Sequence, residues 1–154
     1  MGVSVTERAQ QDADNRGLAV EFLTRESTGR PTLADFDGTP VAKSVVVKQG
    51  DTFAFVIAPL ASRFSWPRLR KHLGVNRVSL PDAEVAYEAT GYHPGTISPL
   101  GAKIPWPVYI DVRLAGTQIM LGAGQPQVAA RVNVDEFAAA FDAEFVDLAD
   151  PITE

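Results

Sequence analysis

A chain of 154 residues, 45% hydrophobic and 21% charged, is long enough to bury a real core as one globular domain, and it holds no apolar run of bilayer-spanning length. Its formal charge of −5 excludes a broad nucleic-acid-coating surface, which would need many Lys and Arg contacts to phosphates, but leaves room for a local contact with an RNA end. Cysteine is absent, which removes disulfides, thiolate nucleophiles and sulfur-ligated zinc together, and the first residues lack a secretion signal, so a cytoplasmic, non-membrane protein is expected.

In chain order, Ser4-Val5-Thr6-Glu7 reads as a capping box opening a helix to about residue 15, with Gly17 as its stop. Residues 18–23 alternate as a strand, and 27–40, rich in Gly, Pro, Asp and Thr, form an irregular connection. The β-branched and aromatic runs 42–48 and 52–58, split by Gln49-Gly50-Asp51, predict a hairpin of two central strands. Ser65 ahead of Trp66-Pro67 opens a short helix that Gly74 closes, and 82–90 is the next helix, stopped by Gly91.

Residues 91–107 then make a Gly- and Pro-punctuated loop much longer than the usual four to six residues. Strands follow at 108–112, 118–121 and 127–132, then a helix capped by Asn133 to about residue 143, and a last strand at 145–148. Strands interleaved with short helices and a tight hairpin predict an α+β fold, a mixed sheet with helices packed around it, as one domain over 1–154.

The chemistry open to these residues is narrow. The two histidines, His72 and His93, have no metal-binding spacing, so no metal site is expected. No Gly-x-Ser-x-Gly elbow exists, and Ser98 is followed by Pro99. Gly122-Ala123-Gly124 lacks the third glycine of a dinucleotide loop and precedes a strand, so no cofactor is expected.

Two separated motifs carry a resemblance. Gly91-Tyr92, Gly95 to Gly101 with Pro99 inside it, Lys103, Trp106-Pro107 and Ile110-Asp111 follow one another in the order seen in YbaK-type aminoacyl-tRNA editing domains, the family that includes prolyl-tRNA synthetase-associated editing domains. Lys43-Ser44-Val45-Val46-Val47 resembles that family's lysine, hydroxyl residue and apolar strand. The likeness continues through residues 53–59, 69–74, 122–124 and 137–149, covering about 41–149. Thr96 stands where a second glycine is common, Ser44 where threonine is common, and Ala123-Gly124 where paired glycines fall. Residues 24–40 are short and lack the Ala-rich helix usual before the lysine strand, which leaves the amino-acid substrate open.

The resemblance implies a YbaK-like fold, a mixed, mostly antiparallel sheet or barrel surrounded by short helices. It also implies a trans-acting hydrolase that deacylates mischarged tRNA, with alanine, cysteine or serine on tRNA-Pro or a related tRNA. Lys43, Gly95, Thr96, Ile97 and Ser98 would be catalytic, and Ser44, Tyr92, Pro99, Gly101, Lys103, Asp111, Gly122 and Gly124 would bind substrate. The partners would be the 3′ acceptor end of aminoacyl-tRNA and an aminoacyl-tRNA synthetase.

Such editing answers a physical limit, because a pocket gains only about 1–3 kcal/mol per methylene and cannot by itself reject near-isosteric amino acids. Backbone N–H groups of residues 95–98 would stabilise the carbonyl oxyanion. An unperturbed lysine, with a pKa of about 10.4, is a poor base, so Lys43 would instead hold the terminal adenosine phosphate or the carbonyl, with a ribose hydroxyl helping the attacking water.

Plainer readings stand beside these. Tyr92 and Trp106 either stack on adenine or pack; Asp111 either binds or braces a loop; Arg63, Arg68, Arg70, Lys71 and His72 either touch phosphates or form a solvated helix face. His93 is read as a loop side chain rather than a base. Rival functions are a non-catalytic tRNA- or synthetase-binding module and a binding domain for free amino acids or nucleotide-like ligands.

Overall fold

The computed structural model describes residues 5–25, 36, 38–125 and 127–151; Ser4, and with it the expected capping box, lies outside them, as does most of the 27–40 connection. Helix α1 (Val5–Arg16) ends where Gly17 turns left-handed at φ 68° and the Leu18 N–H closes on the Ala13 carbonyl at 2.9 Å. Strand β1 (Glu21–Thr24) starts later than its sequence pattern, because Leu18 is drawn into the core by that helix cap.

Strands β2 (Ala42–Gln49) and β3 (Thr52–Pro59) form the expected hairpin. Of the two turn residues only Gly50 has positive φ, at 60°, which is the type II′ pattern whose twist suits the strands. Strand β4 (Ser62–Phe64), unforeseen in the sequence, pairs with an equally unforeseen β9 (Ala149–Pro151).

The helix caps follow the sequence. Ser65 Oγ accepts the Arg68 N–H at the start of α2 (Trp66–Leu73), and Asp82 Oδ1 accepts Val85 N–H at 2.9 Å at the start of α3 (Ala83–Thr90). Gly74 and Gly91 close them at φ 70° and 81°. Beyond the long loop come β5 (Val108–Asp111), β6 (Gln118–Gly122), β7 (Val128–Asn133), α4 (Val134–Phe141) and β8 (Glu144–Val146). Helix α4 stops short of residue 143 because Asp142 turns left-handed and Ala143 N–H returns to the Ala138 carbonyl at 2.9 Å.

The strands make a three-stranded sheet β1-β7-β6, a four-stranded sheet β2-β3-β5-β8 and the β4-β9 pair. Pairing is mostly antiparallel, with β3-β5 and β5-β8 parallel. The two larger sheets meet through a parallel bridge between Val41 and Met120, and no closed barrel forms among the described residues. Strand β2 is therefore an edge strand of its sheet and not central. At its far end Lys48 exchanges both backbone hydrogen bonds with Ser79, at 2.8 and 3.1 Å. Antiparallel alternation then turns the N–H and C=O groups of Ser44 and Val46 to the same open edge.

The four-stranded sheet is apolar on both faces, as a sheet carrying parallel pairs requires. Val46, Phe55, Ile57, Val108 and Ile110 face a core shared with α1, α4 and the other sheet, while Val47, Ala54 and Val56 face Leu69 and Leu148.

The loop at 91–107 is packed in place of covering the protein loosely. Tyr92, Ile97 and Leu100 are buried in the main core, and Gly101 N–H reaches Asp12 of α1 at 2.9 Å. Gly101 has φ 71°, and a Cβ there would sit 2.6 Å from Tyr92 Oη and 2.8 Å from Ala9 N. Gly101→Ala thus combines overpacking against backbone with a left-handed alanine, a loss of about 2–4 kcal/mol. Gly95, at φ 90° with nothing within 4 Å of a built Cβ, faces only the backbone cost, about 1–2 kcal/mol on mutation to alanine. Urea denaturation of the two variants checks this order.

Candidate active site

A cleft of about 270 Å³ opens between the edge of β2, the 95–97 turn and the β6–β7 connection. Five of the residues singled out in the sequence reach its wall: Lys43, Ser44, Gly95, Ile97 and Gly122. Residues His93 to Thr96 form a turn closed by Thr96 N–H to the His93 carbonyl at 3.0 Å. Proline at its second position and a φ 90° glycine at its third are the composition of a type II turn.

The turn is held against β6 by a close approach. A Cβ on Gly122 would lie 3.0 Å from the Ile97 carbonyl oxygen and 3.1 Å from that of Thr96. Gly124 N–H donates to the same Thr96 carbonyl at 2.9 Å. Thr96 itself is committed to the turn, its N–H and its hydroxyl both bonding the His93 carbonyl. The N–H groups of Gly95, Ile97 and Ser98, by contrast, make no hydrogen bond among the described residues. Ser98 is fully buried, its hydroxyl accepting Leu100 N–H at 3.1 Å, so that side chain serves the loop.

Lys43 shares a face of β2 with Val45 and Val47. Its ammonium donates to the Ser62 carbonyl of β4 and lies 4.6 Å from the centre of the Phe64 ring, a cation–π contact that fixes where the charge sits. Ser44, on the opposite face, has its Oγ shielded from solvent with no hydrogen-bond partner among the described residues. A buried hydroxyl left so costs about 1–3 kcal/mol.

The sequence reading missed Arg25, Gln125 and Gln127, which also line the cleft. Gln127 is one of two non-glycine residues at positive φ among the described residues, at 66°. Nothing in local pattern marks these positions; tertiary pairing of β1 with β7 brings them in. Arg25 and Lys43 are the charged residues among the described lining residues of the cleft, in a chain of net charge −5.

Other expected site residues lie away from this wall. Tyr92 is 1% exposed and its hydroxyl donates to the Leu100 carbonyl at 2.6 Å, tying the start of the loop to its middle. Pro99 is buried, and Gly101 is packed on α1. Lys103 is exposed, its N–H bonded to the Thr90 carbonyl. Asp111 is fully buried and accepts Leu148 N–H at 3.2 Å and Arg113 Nη1 at 3.1 Å, a brace between β5 and the chain after β8. Trp106 donates its indole N–H to the Ala89 carbonyl and leans on Phe53.

In the basic stretch of α2, Arg68 pairs with Asp150 and Asp147, which raises its pKa, and His72 meets Glu144 at 2.5 Å. Acidic neighbours thus blunt that face. No group of His, Asp or Glu side chains suited to hold a metal exists among the described residues. No helix there is long and apolar enough to cross a membrane.

The model of the aminoacyl-tRNA editing domain matches residues 31–140, well over half of the chain, and the chain belongs to that family. The fold agrees. A proposed trans-editing enzyme for prolyl tRNA synthetase superposes with a TM-score of 0.84 at 23% identity, over 97% of this chain and 99% of its own. Hypothetical protein APE2540 gives 0.82 at 20% identity, over 94% and 100%. A proposed signal transduction protein from Marinobacter aquaeolei VT8 gives 0.67 at 17% identity, with 96% of this chain matching 31% of that one. At these identities the likeness is one of fold.

Burial pushes the Tyr92 phenol above its ordinary value of 10.0, and Tyr109 moves the same way for the same reason. The folded state therefore keeps protons that the unfolded chain gives up, so stability is full below about pH 10 and falls as pH rises through the folded values. Tyr92→Phe removes one such group. The expected result is a loss of about 1–2 kcal/mol at neutral pH, from the lost bond to the Leu100 carbonyl, with a shallower decline of stability above pH ~10 than the wild type, both read from urea midpoints.

Proposed function

We propose that this chain, as a single cytoplasmic domain over 1–154, is a trans-acting aminoacyl-tRNA deacylase. It hydrolyses the ester that links a wrongly attached small amino acid, such as alanine, cysteine or serine, to tRNA-Pro or a related tRNA, with or without delivery by a synthetase. The observation that carries this reading is the cleft of about 270 Å³ lined by Lys43 and Ser44 of β2 and by Gly95 and Ile97 of the turn, in a member of the editing family.

Ester hydrolysis needs a place for the charge that develops on the carbonyl oxygen, and each preorganised donor in such a site is worth roughly 3–4 kcal/mol. Gly95 and Ile97 offer unpaired amide N–H groups at the cleft wall, fixed by the turn and by Gly122. Thr96, bonded within the turn, is left to hold its shape. Lys43 and Arg25 supply the positive charge that suits the phosphate and carbonyl of an acylated 3′ end, and Lys43 orients the substrate in place of taking a proton. With no histidine or carboxylate among the described lining residues, a ribose hydroxyl of the substrate helps position the attacking water. Ser44 lines the wall as part of the open edge of β2, while its shielded Oγ stays inside. Tyr92, Pro99, Gly101, Lys103, Asp111 and Gly124 serve the site through the loop and strands that shape it.

The test is release of labelled amino acid from a panel of mischarged tRNAs by native protein and by Lys43→Ala at equal folded concentration. Release confined to one or two substrates, with kcat/KM reduced about 10- to 100-fold in Lys43→Ala, is expected from the loss of a charge-assisted contact. No release across the panel with tRNA still bound would replace the enzyme by a binding module of the same fold.

A further inference from the structure

Tyr87 of α3 and His93 of the turn stack on one another at the protein surface, their ring centres 4.5 Å apart and their planes 21° from parallel. Tyr87 is 46% exposed and His93 is exposed as well. The pair is built on rigid parts. Tyr87 rides on a helix whose other face, Ala86, Ala89 and Thr90, is buried, and whose ends are fixed by Asp82 and Gly91. The His93 carbonyl anchors the turn that carries Gly95 to the cleft.

The stack adjoins the cleft region through its chain neighbours. A smaller apolar pocket of about 150 Å³ is lined by Ala86 and Pro94, the residues next to Tyr87 and His93, together with Leu80, and shares Ser44, Gly95 and Ile97 with the cleft wall. Leu80, at 55% exposed, extends the apolar surface outward. Of the two readings open for Tyr92 and Trp106, stacking on adenine or packing, the structure shows packing, with both side chains bonded to backbone carbonyls. Glu84 and Glu88, exposed on the same helix, disfavour phosphates there, so the site addresses the faces of bases and not the charge of the backbone.

We infer that the Tyr87–His93 stack is a platform for an unpaired nucleobase next to the terminal adenosine of the RNA acceptor end, an assignment that rests on the deacylase reading for what occupies the cleft. Base–aromatic stacking is tolerant of sequence and is lost on substitution by alanine. The platform would add hold on the polynucleotide without touching the reacting ester. It would therefore act on KM for an acceptor-stem substrate and not on kcat.

The experiment uses the full chain and an uncharged acceptor-stem RNA hairpin with 2-aminopurine in place of the nucleotide preceding the 3′-terminal adenosine. Stacking quenches this probe. Quenching on binding is expected for the wild type and for Tyr87→Phe, with its loss and roughly tenfold weaker binding in Tyr87→Ala, and a smaller weakening in His93→Ala. Unchanged quenching and affinity in Tyr87→Ala would overturn the platform and leave that face to a protein partner. Deacylation of the charged hairpin and of a 3′-aminoacyl-adenosine is measured alongside: a KM rise in Tyr87→Ala on the hairpin alone supports the platform, and an equal loss on both substrates overturns it. Absence of hydrolysis by the wild type with quenching intact would sink the deacylase reading and spare the platform. Tyr87 is surface-exposed, and an unchanged far-ultraviolet circular dichroism spectrum confirms that the variants fold.

Discussion

Main chain pressed against main chain governs this structure. The 91–107 segment is held between α1 and β6, and both contacts exist only because residues 101 and 122 lack side chains: a Cβ would meet the α1 backbone at 2.8 Å on one side and the Ile97 carbonyl at 3.0 Å on the other. The helix contributes its small face there, with Ala9 and Ala13 fully buried, and Asp12 takes the Gly101 N–H. A loop of this length ordinarily runs loosely over a surface. Here Tyr92 ties its start to its middle, Ile97 and Leu100 enter the core, and the amides at 95–98 are set before any substrate arrives.

The charge distribution follows the same division of labour. The chain as a whole is acidic, and the basic stretch of α2 that sequence alone offers to RNA is met by Asp147, Asp150 and Glu144 from the C-terminal part. The charged residues among the described lining of the cleft are instead both basic, Arg25 just past β1 and Lys43 on β2. Two basic residues on one wall of an otherwise acidic chain favour an anionic ligand at that place over the rest of the surface.

Local chemistry made much of this legible in advance. Ser65, Asp82 and Asn133 as helix caps, Gly50 in the hairpin and Gly91 as a stop depend on neighbours within a few residues, and they hold in the structure. The larger misses are non-local. The edge position of β2 is decided by where Met120 and Ser79 dock, β4 and β9 are short strands that exist only as each other's partners, and no periodicity betrays either. Likewise Lys43, Ser44 and Gly95 were readable through motif resemblance, whereas Arg25 and Gln127 enter the cleft through the β1–β7 pairing, and the exposure of Tyr87 against the burial of Tyr92 is set by packing that the two tyrosines' sequence contexts do not distinguish.

The cleft also keeps polar groups that folding leaves incomplete. Gly95 is exposed and its amide is open to water; Ser44 Oγ is shielded without a partner among the described residues, and the amide of the buried Ile97 makes no hydrogen bond there, although nearly all buried groups in folded proteins find one. Their cost falls on the empty protein and is fixed by the scaffold: Gly122 holds the turn in place and β2 holds Ser44 on an open edge. A ligand whose carbonyl oxygen accepts from the Gly95 and Ile97 amides gains on binding, and one whose oxygen gains charge during reaction gains most at the transition state. An acyl ester is a ligand of that kind, so the proposed hydrolysis draws on the open amides of this wall more than on its volume or its lysine.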